Sequence, residues 1–186
     1  MRKLQVEELH RISAEEFRQA KKLPLVVVLD NVRSLYNVGS VFRTCDAFRI
    51  DKLVLCGISA VPPSVEIHKT ALGAEDAVDW VYFKDTLAAV NWLKSHGYKV
   101  IAAEQTEGSV MLDDFCIEGE KYAVVFGNEV KGVQQKVVDV CDECVEIPQF
   151  GTKHSLNVSV SVGIVVWHLF YKMRPLQKEV FANGNN

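Results

Sequence analysis

Apolar and polar positions fall along this chain in two kinds of block. Short continuous apolar runs at Leu25–Leu29, Leu53–Cys56, Val81–Phe83, Lys99–Ala103, Tyr122–Phe126 and Val145–Ile147 predict buried strands. Helical spacing fills the gaps between them. Val38, Val41, Phe42 and Cys45 share one face of a helix over Val38–Phe48. Val65–Leu72 predicts a short helix closed by Gly73. Asp85 caps a helix that runs to Ser95, with Gly97 as its left-handed end, and Val133–Val140 reads as helical. Upstream, Ser13-Ala14-Glu15-Glu16 is a capping box that opens a short helix ending before Pro24. Strands separated by helices predict an α/β fold: a mostly parallel sheet with helices on both faces.

The segment Leu156–Tyr171 fits two readings. Val158, Val160 and Val162 alternate with Ser159, Ser161 and Gly163, which favours a strand. Its length, with no breaker other than Gly163, favours a buried helix.

Composition sets the class. The 186 residues suit one domain, and 48% hydrophobic with 24% charged residues is an ordinary globular profile. No apolar run is long enough to span a membrane, and Met1–Glu7 lacks the apolar core of a signal peptide, so a cytoplasmic location is expected. The expected divisions are an N-terminal helical extension over 1–23, the α/β domain over 24–174 and a tail over 175–186. Cys45, Cys56 and Cys116 read as buried small residues. Cys141 and Cys144 form a CxxC without a second pair, so no metal site is expected.

Net charge is −3, which argues against a nucleic-acid partner until its distribution is considered. Residues 1–24 hold six Lys/Arg against four Asp/Glu, and residues 149–186 hold four against one. If the two ends fold together, they offer a basic face that includes Arg2, Lys3, Arg11, Lys153 and Lys172. Ordinary solvated charges explain the same counts.

Three polar motifs interrupt the apolar pattern. Asn37-Val38-Gly39-Ser40-Val41-Phe42-Arg43-Thr44 follows the first strand and opens a helix, where α/β proteins bind polar ligands. Phe126-Gly127-Asn128-Glu129-Val130-Lys131-Gly132 follows another strand, with Gly127 allowing close approach of a ligand. Ile147-Pro148-Gln149-Phe150-Gly151-Thr152-Lys153-His154-Ser155-Leu156-Asn157-Val158-Ser159 joins the last strand to the final segment. There Ser155 is expected to cap a helix whose first turn holds Asn157. Taken singly, each motif also fits a plain helix start, a turn with a solvated acid, or a capped loop.

Together, in this order, the three motifs resemble the signature blocks of the SpoU/TrmH family, and Lys69-Thr70-Ala71-Leu72-Gly73-Ala74 resembles a fourth segment. The resemblance spans about residues 24–172. It implies the SPOUT methyltransferase fold with a C-terminal trefoil knot, which favours the helical reading of Leu156–Tyr171. It also implies S-adenosyl-L-methionine (AdoMet) as methyl donor without a metal, a homodimer, and RNA (tRNA or rRNA) rather than DNA as substrate, methylated on a ribose 2′-OH. By the same resemblance Asn37, Arg43, Glu129, Ser155 and Asn157 match catalytic positions. Glu104, Gln105, Thr106, Phe126, Gly127, Asn128, Gly132, Ile147, Gln149 and Leu156 match positions that cradle the cofactor. The family assigns Arg43 the role of base, but a guanidinium stays protonated at ordinary pH. A phosphate-binding fork that steadies the alkoxide, with Glu129 orienting Arg43 or Asn37, fits its chemistry better. His154 is a further candidate base. Two other classes remain: an enzyme acting on a phosphorylated small molecule, which would need a glycine-rich phosphate loop that the sequence lacks, and a non-catalytic RNA-binding module.

Overall fold

The computed structural model describes residues 1–174; the tail expected over 175–186 lies outside the described residues. A short 3-10 turn at Val6–Leu9 precedes α1 (Ala14–Gln19), β1 (Leu23–Asp30), α2 (Leu35–Ala47), β2 (Ile50–Cys56), α3 (Val65–Ala71), α4 (Ala74–Ala77) and β3 (Trp80–Phe83). Then come α5 (Thr86–Ser95), β4 (Lys99–Ala103), β5 (Val110–Met111), β6 (Tyr122–Phe126), α6 (Gln135–Val138), β7 (Glu143–Glu146) and α7 (Val158–Met173). The strands form one sheet in the order β3-β2-β1-β6-β4-β7-β5, and every neighbouring pair is parallel.

Both faces of the sheet are covered, as the continuous apolar strands predict. Side chains alternate across a strand. In β1, Leu25, Val27 and Leu29 enter a core shared with α1, α2, α3, α4 and α7, whereas Val26 and Val28 enter one shared with α5 and α6. The same split separates Val124 from Ala123 and Val125 in β6.

Several boundaries differ from the pattern. β1 starts at Leu23 and takes in Pro24, where the register with β2 shifts before Val26; a missing N–H is tolerated at such an irregularity. The helix expected over Val133–Val140 shrinks to Gln135–Val138, because the backbone of Val133 and Gln134 is bonded elsewhere. Asp85 occupies the cap position of α5, but its carboxylate pairs with Lys136 at 2.7 Å instead of capping.

The ambiguous C-terminal segment is a helix. Val158, Val162, Val165, Val166, Leu169 and Met173 are all buried, and that spacing of three and four residues is helical. Its N-cap is Asn157, whose Oδ1 accepts from the Ser159 backbone N–H at 2.9 Å and from the Ser159 hydroxyl at 2.6 Å. Ser155, expected as the cap, lies two residues before Asn157.

Candidate active site

Beyond the carboxyl ends of β4, β6 and β7 the chain makes three turns, and these enclose an open cleft completed by the approach to α7. Its lining includes Glu104, Gln105, Phe126, Gly127, Asn128, Glu129, Gly132, Ile147, Gln149, Ser155 and Leu156. All of these are among the residues that the family resemblance assigns to the site. Thr106, Asn37, Arg43 and Asn157 are not part of the lining. Four residues that the motif blocks carry but the expectation left out, or gave another role, do line it: Val130, Lys131, His154 and Val158. Ser161, on α7, adds a hydroxyl.

Asn37 and Asn157 are linked to this cleft through Glu129. The Asn37 Nδ2 donates to Glu129 Oε1 at 2.7 Å, and the Asn157 Nδ2 donates to Asn37 Oδ1 at 3.2 Å. The orientation of both amides follows from chemistry. Asn157 Oδ1 must face the Ser159 donors, so its NH2 faces Asn37; Asn37 must then turn its own NH2 to the carboxylate. The three sequence motifs thus meet in one directed chain of hydrogen bonds. Glu129 Oε2 has no donor among the described residues, and Glu129 is exposed and lines the cleft.

The 127–134 turn that carries Glu129 is tightly folded on itself. Asn128 and Gly132 exchange backbone hydrogen bonds, and Asn128 Oδ1 accepts from the N–H groups of Val130 and Lys131. A Cβ on Gly127 would lie 1.9 Å from the Gly132 carbonyl carbon. Gly127 therefore makes room for the turn's own backbone, not for a ligand as the sequence suggested. Glu104 also serves the turn from within, because its Oε2 accepts from the Val133 N–H at 2.8 Å.

Arg43 lies elsewhere. It borders a shallow groove between α2 and α3 with Ser40, Thr44, Ala47, Phe48, Lys69 and Thr70. It is exposed and has no hydrogen bond or ion pair among the described residues. The groove exists because Gly39 lets the two helices touch: a Cβ there would meet the Ile67 carbonyl oxygen at 2.3 Å. The Lys69 segment is thereby placed beside the first motif.

Cys45 and Cys56 are buried as expected, but Cys116 is exposed, because it falls in the loop between β5 and β6 and not in a core element. Cys141 and Cys144 are free and partly buried. Burial, with Cys144 adding to it, pushes the Cys141 thiol up to about 12, so it stays protonated. No helix among the described residues is long and apolar enough to cross a membrane.

The profile of the SpoU rRNA Methylase family matches residues 24–167. The chain belongs to that family. Among SpoU relatives, it is 30% identical over 143 residues to the 23S rRNA (guanosine-2'-O-)-methyltransferase RlmB of Neisseria meningitidis, covering 77% of this chain and 56% of that protein. The SpoU fold is shared with an Aquifex protein, the A. aeolicus TrmH/SpoU tRNA modifying enzyme: TM-score 0.79, 23% identity, 92% of this chain and 87% of the other. An AdoMet-bound rRNA methyltransferase from Sinorhizobium meliloti superposes with a TM-score of 0.76 at 25% identity, over 87% of this chain and 60% of that one. The chain spans 56–64% of the length of the curated SpoU relatives it matches first.

Proposed function

We propose that this chain is an RNA 2′-O-ribose methyltransferase that uses AdoMet and acts on tRNA or rRNA. One observation carries the reading: residues from three distant motifs, Asn37, Glu129 and Asn157, converge in a hydrogen-bonded chain beside an open cleft. Family membership and the named activity of the N. meningitidis relative support it.

The residues present fit the cofactor. Phe126, Val145, Ile147 and Leu156 give the cleft apolar surface for an adenosyl ring, while Glu104, Gln105, Asn128, Gly132 and Gln149 supply polar and backbone groups for the ribose and the amino-acid tail. Thr106, just past Gln105, extends that edge. When bound there, AdoMet supplies an electrophilic methyl on a sulfonium, a chemistry that needs no metal.

The protein's own groups do the rest. Glu129 Oε2 accepts a hydrogen bond from the ribose 2′-OH, fixes the hydroxyl for in-line attack and takes up its proton as the oxygen–methyl bond forms and the methyl–sulfur bond breaks, leaving a neutral thioether. Asn37 holds the carboxylate by its other oxygen, and Asn157 holds Asn37. Ser155, at the mouth, positions the ribose or the cofactor. Arg43, a flat two-pronged donor that cannot act as a base, lies outside its own chain's cleft; from the α7 interface it serves the cleft of the second copy in the dimer, where it binds an adjacent RNA phosphate and steadies the developing alkoxide.

The assembly we infer is a two-fold homodimer through α7. The helix buries one face in the core and exposes Val160 (49%), Ile164 (38%), Trp167 (54%) and Tyr171 (68%) as an apolar stripe on the other. Trp167 also contacts Phe48 of the Arg43 groove, at 5.8 Å between ring centres, so Arg43 borders the interface. The trefoil knot belongs to the same reading. It is supported by α7 returning from β7, on the far side of β4, to lie on α2 and β1. Residues 24–174 form the catalytic unit, with 1–23 as an extension, in the cytoplasm.

The test is methyl transfer from labelled AdoMet to RNA, with and without EDTA, beside a DNA copy of the same sequence. Transfer to RNA alone, unaffected by EDTA, is expected, because DNA lacks the acceptor hydroxyl. Equal transfer to DNA would refute the ribose assignment.

A further inference from the structure

Asp30 ends β1 and is completely buried, yet no cation neutralises it among the described residues. Its carboxylate is satisfied by four neutral donors. Oδ1 accepts from Asn31 Nδ2 at 2.7 Å, from the Thr86 hydroxyl at 2.6 Å and from Gln134 Nε2 at 2.7 Å; Oδ2 accepts from the Gln134 backbone N–H at 2.9 Å. A buried charge held this way is expensive to keep, and a hydrophobic residue would serve the core better.

The donors show what the charge does. Gln134 closes the turn that carries Glu129. Asn31 begins the 31–34 loop that leads into α2 and Asn37, and it stands at φ 58 with its own Oδ1 accepting from the Ile58 N–H at 3.1 Å. Asp30 therefore grips, with one carboxylate, the loop that leads into α2 and the turn that carries Glu129, the two segments joined further out by the Asn37–Glu129 hydrogen bond. Glu104 grips the neighbouring amide of Val133 from the other flank of β6, since the sheet order is β1-β6-β4. Successive amides of one turn are thus held by acids from the strands on either side.

We propose that Asp30 is a positioning residue for the methyl-transfer site, setting the distance between Asn37 and Glu129 without touching substrate or cofactor. This rests on the proposed function. The sequence motif begins functionally at Asp30, seven residues before Asn37.

The choice of substitution follows from the donors. Asp30→Asn keeps the shape, but if its oxygen stays with the three Oδ1 donors, its NH2 faces the Gln134 N–H, donor against donor. The Glu129 turn loses its anchor at Gln134, while the Asn128–Gly132 backbone bonds and the Glu104–Val133 bond still hold the part of that turn that lines the AdoMet cleft. Single-turnover rate on saturating RNA should fall roughly 10–100-fold, as expected for a sub-ångström to ångström misplacement of reacting groups. AdoMet affinity by calorimetry should change less than about threefold.

A loss of general stability would not produce that split, nor would it couple to Asn37. In an Asn37→Ala background, where the bond being positioned is already gone, Asp30→Asn should cost little further rate. Gln134→Ala removes one side-chain donor and spares the backbone bond, so it should show the same split at smaller amplitude even if Asp30→Asn folds poorly. Wild-type rates in both Asp30→Asn and Gln134→Ala, or a fully additive loss with Asn37→Ala, would overturn the coupling and leave the proposed function standing. A wild-type protein that methylates no RNA would overturn both.

Discussion

Replacing Arg43 with lysine keeps the charge and removes the planar fork. Because Arg43 lies outside the cleft lining, AdoMet affinity should stay within error. Loss of one donor to a developing oxyanion typically costs on the order of 10²–10³ in rate, and a drop of that size is expected here. Paired measurements of affinity and single-turnover rate check it; a lysine enzyme with wild-type rate would remove Arg43 from the chemistry. Leu156→Glu should do the reverse and weaken AdoMet binding, since Leu156 lines the cleft. At this scale the sequence was informative where a motif names residues that surround the cleft, and silent where residues act on one another. Glu129, Asn37 and Asn157 were legible as candidates. That Gly127 and Glu104 serve the turn itself was not, because the partners of Gly127 and Glu104, at Gly132 and Val133, lie in a fold that periodicity cannot close.

Helix contacts give a second set of outcomes. Gly39→Ala must push α3 off α2, since both the Thr70 hydroxyl, at 2.1 Å, and the Ile67 carbonyl, at 2.3 Å, stand in the way. Overpacking of this kind costs about 1–3 kcal/mol, and a thermal melt should show Tm falling by several degrees. Asp142 ties the start of β7 to its neighbours. Burial would raise its carboxyl, but the Lys94 ammonium at 2.7 Å and the Val100 N–H at 2.8 Å outweigh this and hold it below the usual range. A depressed folded-state value stabilises the fold above the unfolded pKa, and this is lost as pH falls through the folded one. Asp142→Asn should lower Tm at neutral pH, with the difference from wild type shrinking below about pH 4. A constant difference across pH would show that charge is not what Asp142 contributes. Strand and helix types, with the parallel, doubly covered sheet, were legible in the periodicity except at Leu156–Tyr171, where the alternation also fitted a strand and the family resemblance favoured the helix. The small elements α4 and β5 were not, because four- and two-residue pieces carry no periodicity. Nor was the true cap of α7, since Ser155 and Asn157 are equally good capping residues and tertiary contact with Asn37 decides between them.

For the whole molecule, the exposed stripe on α7 makes the assembly testable. Trp167→Glu should shift sedimentation from dimer to a monomer near 20.9 kDa at micromolar concentration; a wild-type protein already monomeric there would sink the dimer. The sheet order has a consequence of another kind, for the sequence of events during folding. β6 lies between β1 and β4, and its partner Leu25 is far upstream of Tyr122 in the chain. Such remote parallel pairs close large loops before any contact rewards them, and they form slowly. The Glu129 turn follows directly on β6, and Asn157 comes later still. The first half of the chain can build β1, β2, β3 and α2 with Asn37 in place, but it then waits for Glu129 and Asn157. In refolding experiments, secondary structure should return before AdoMet binding does, and the lag between the two signals measures the insertion of a single central strand.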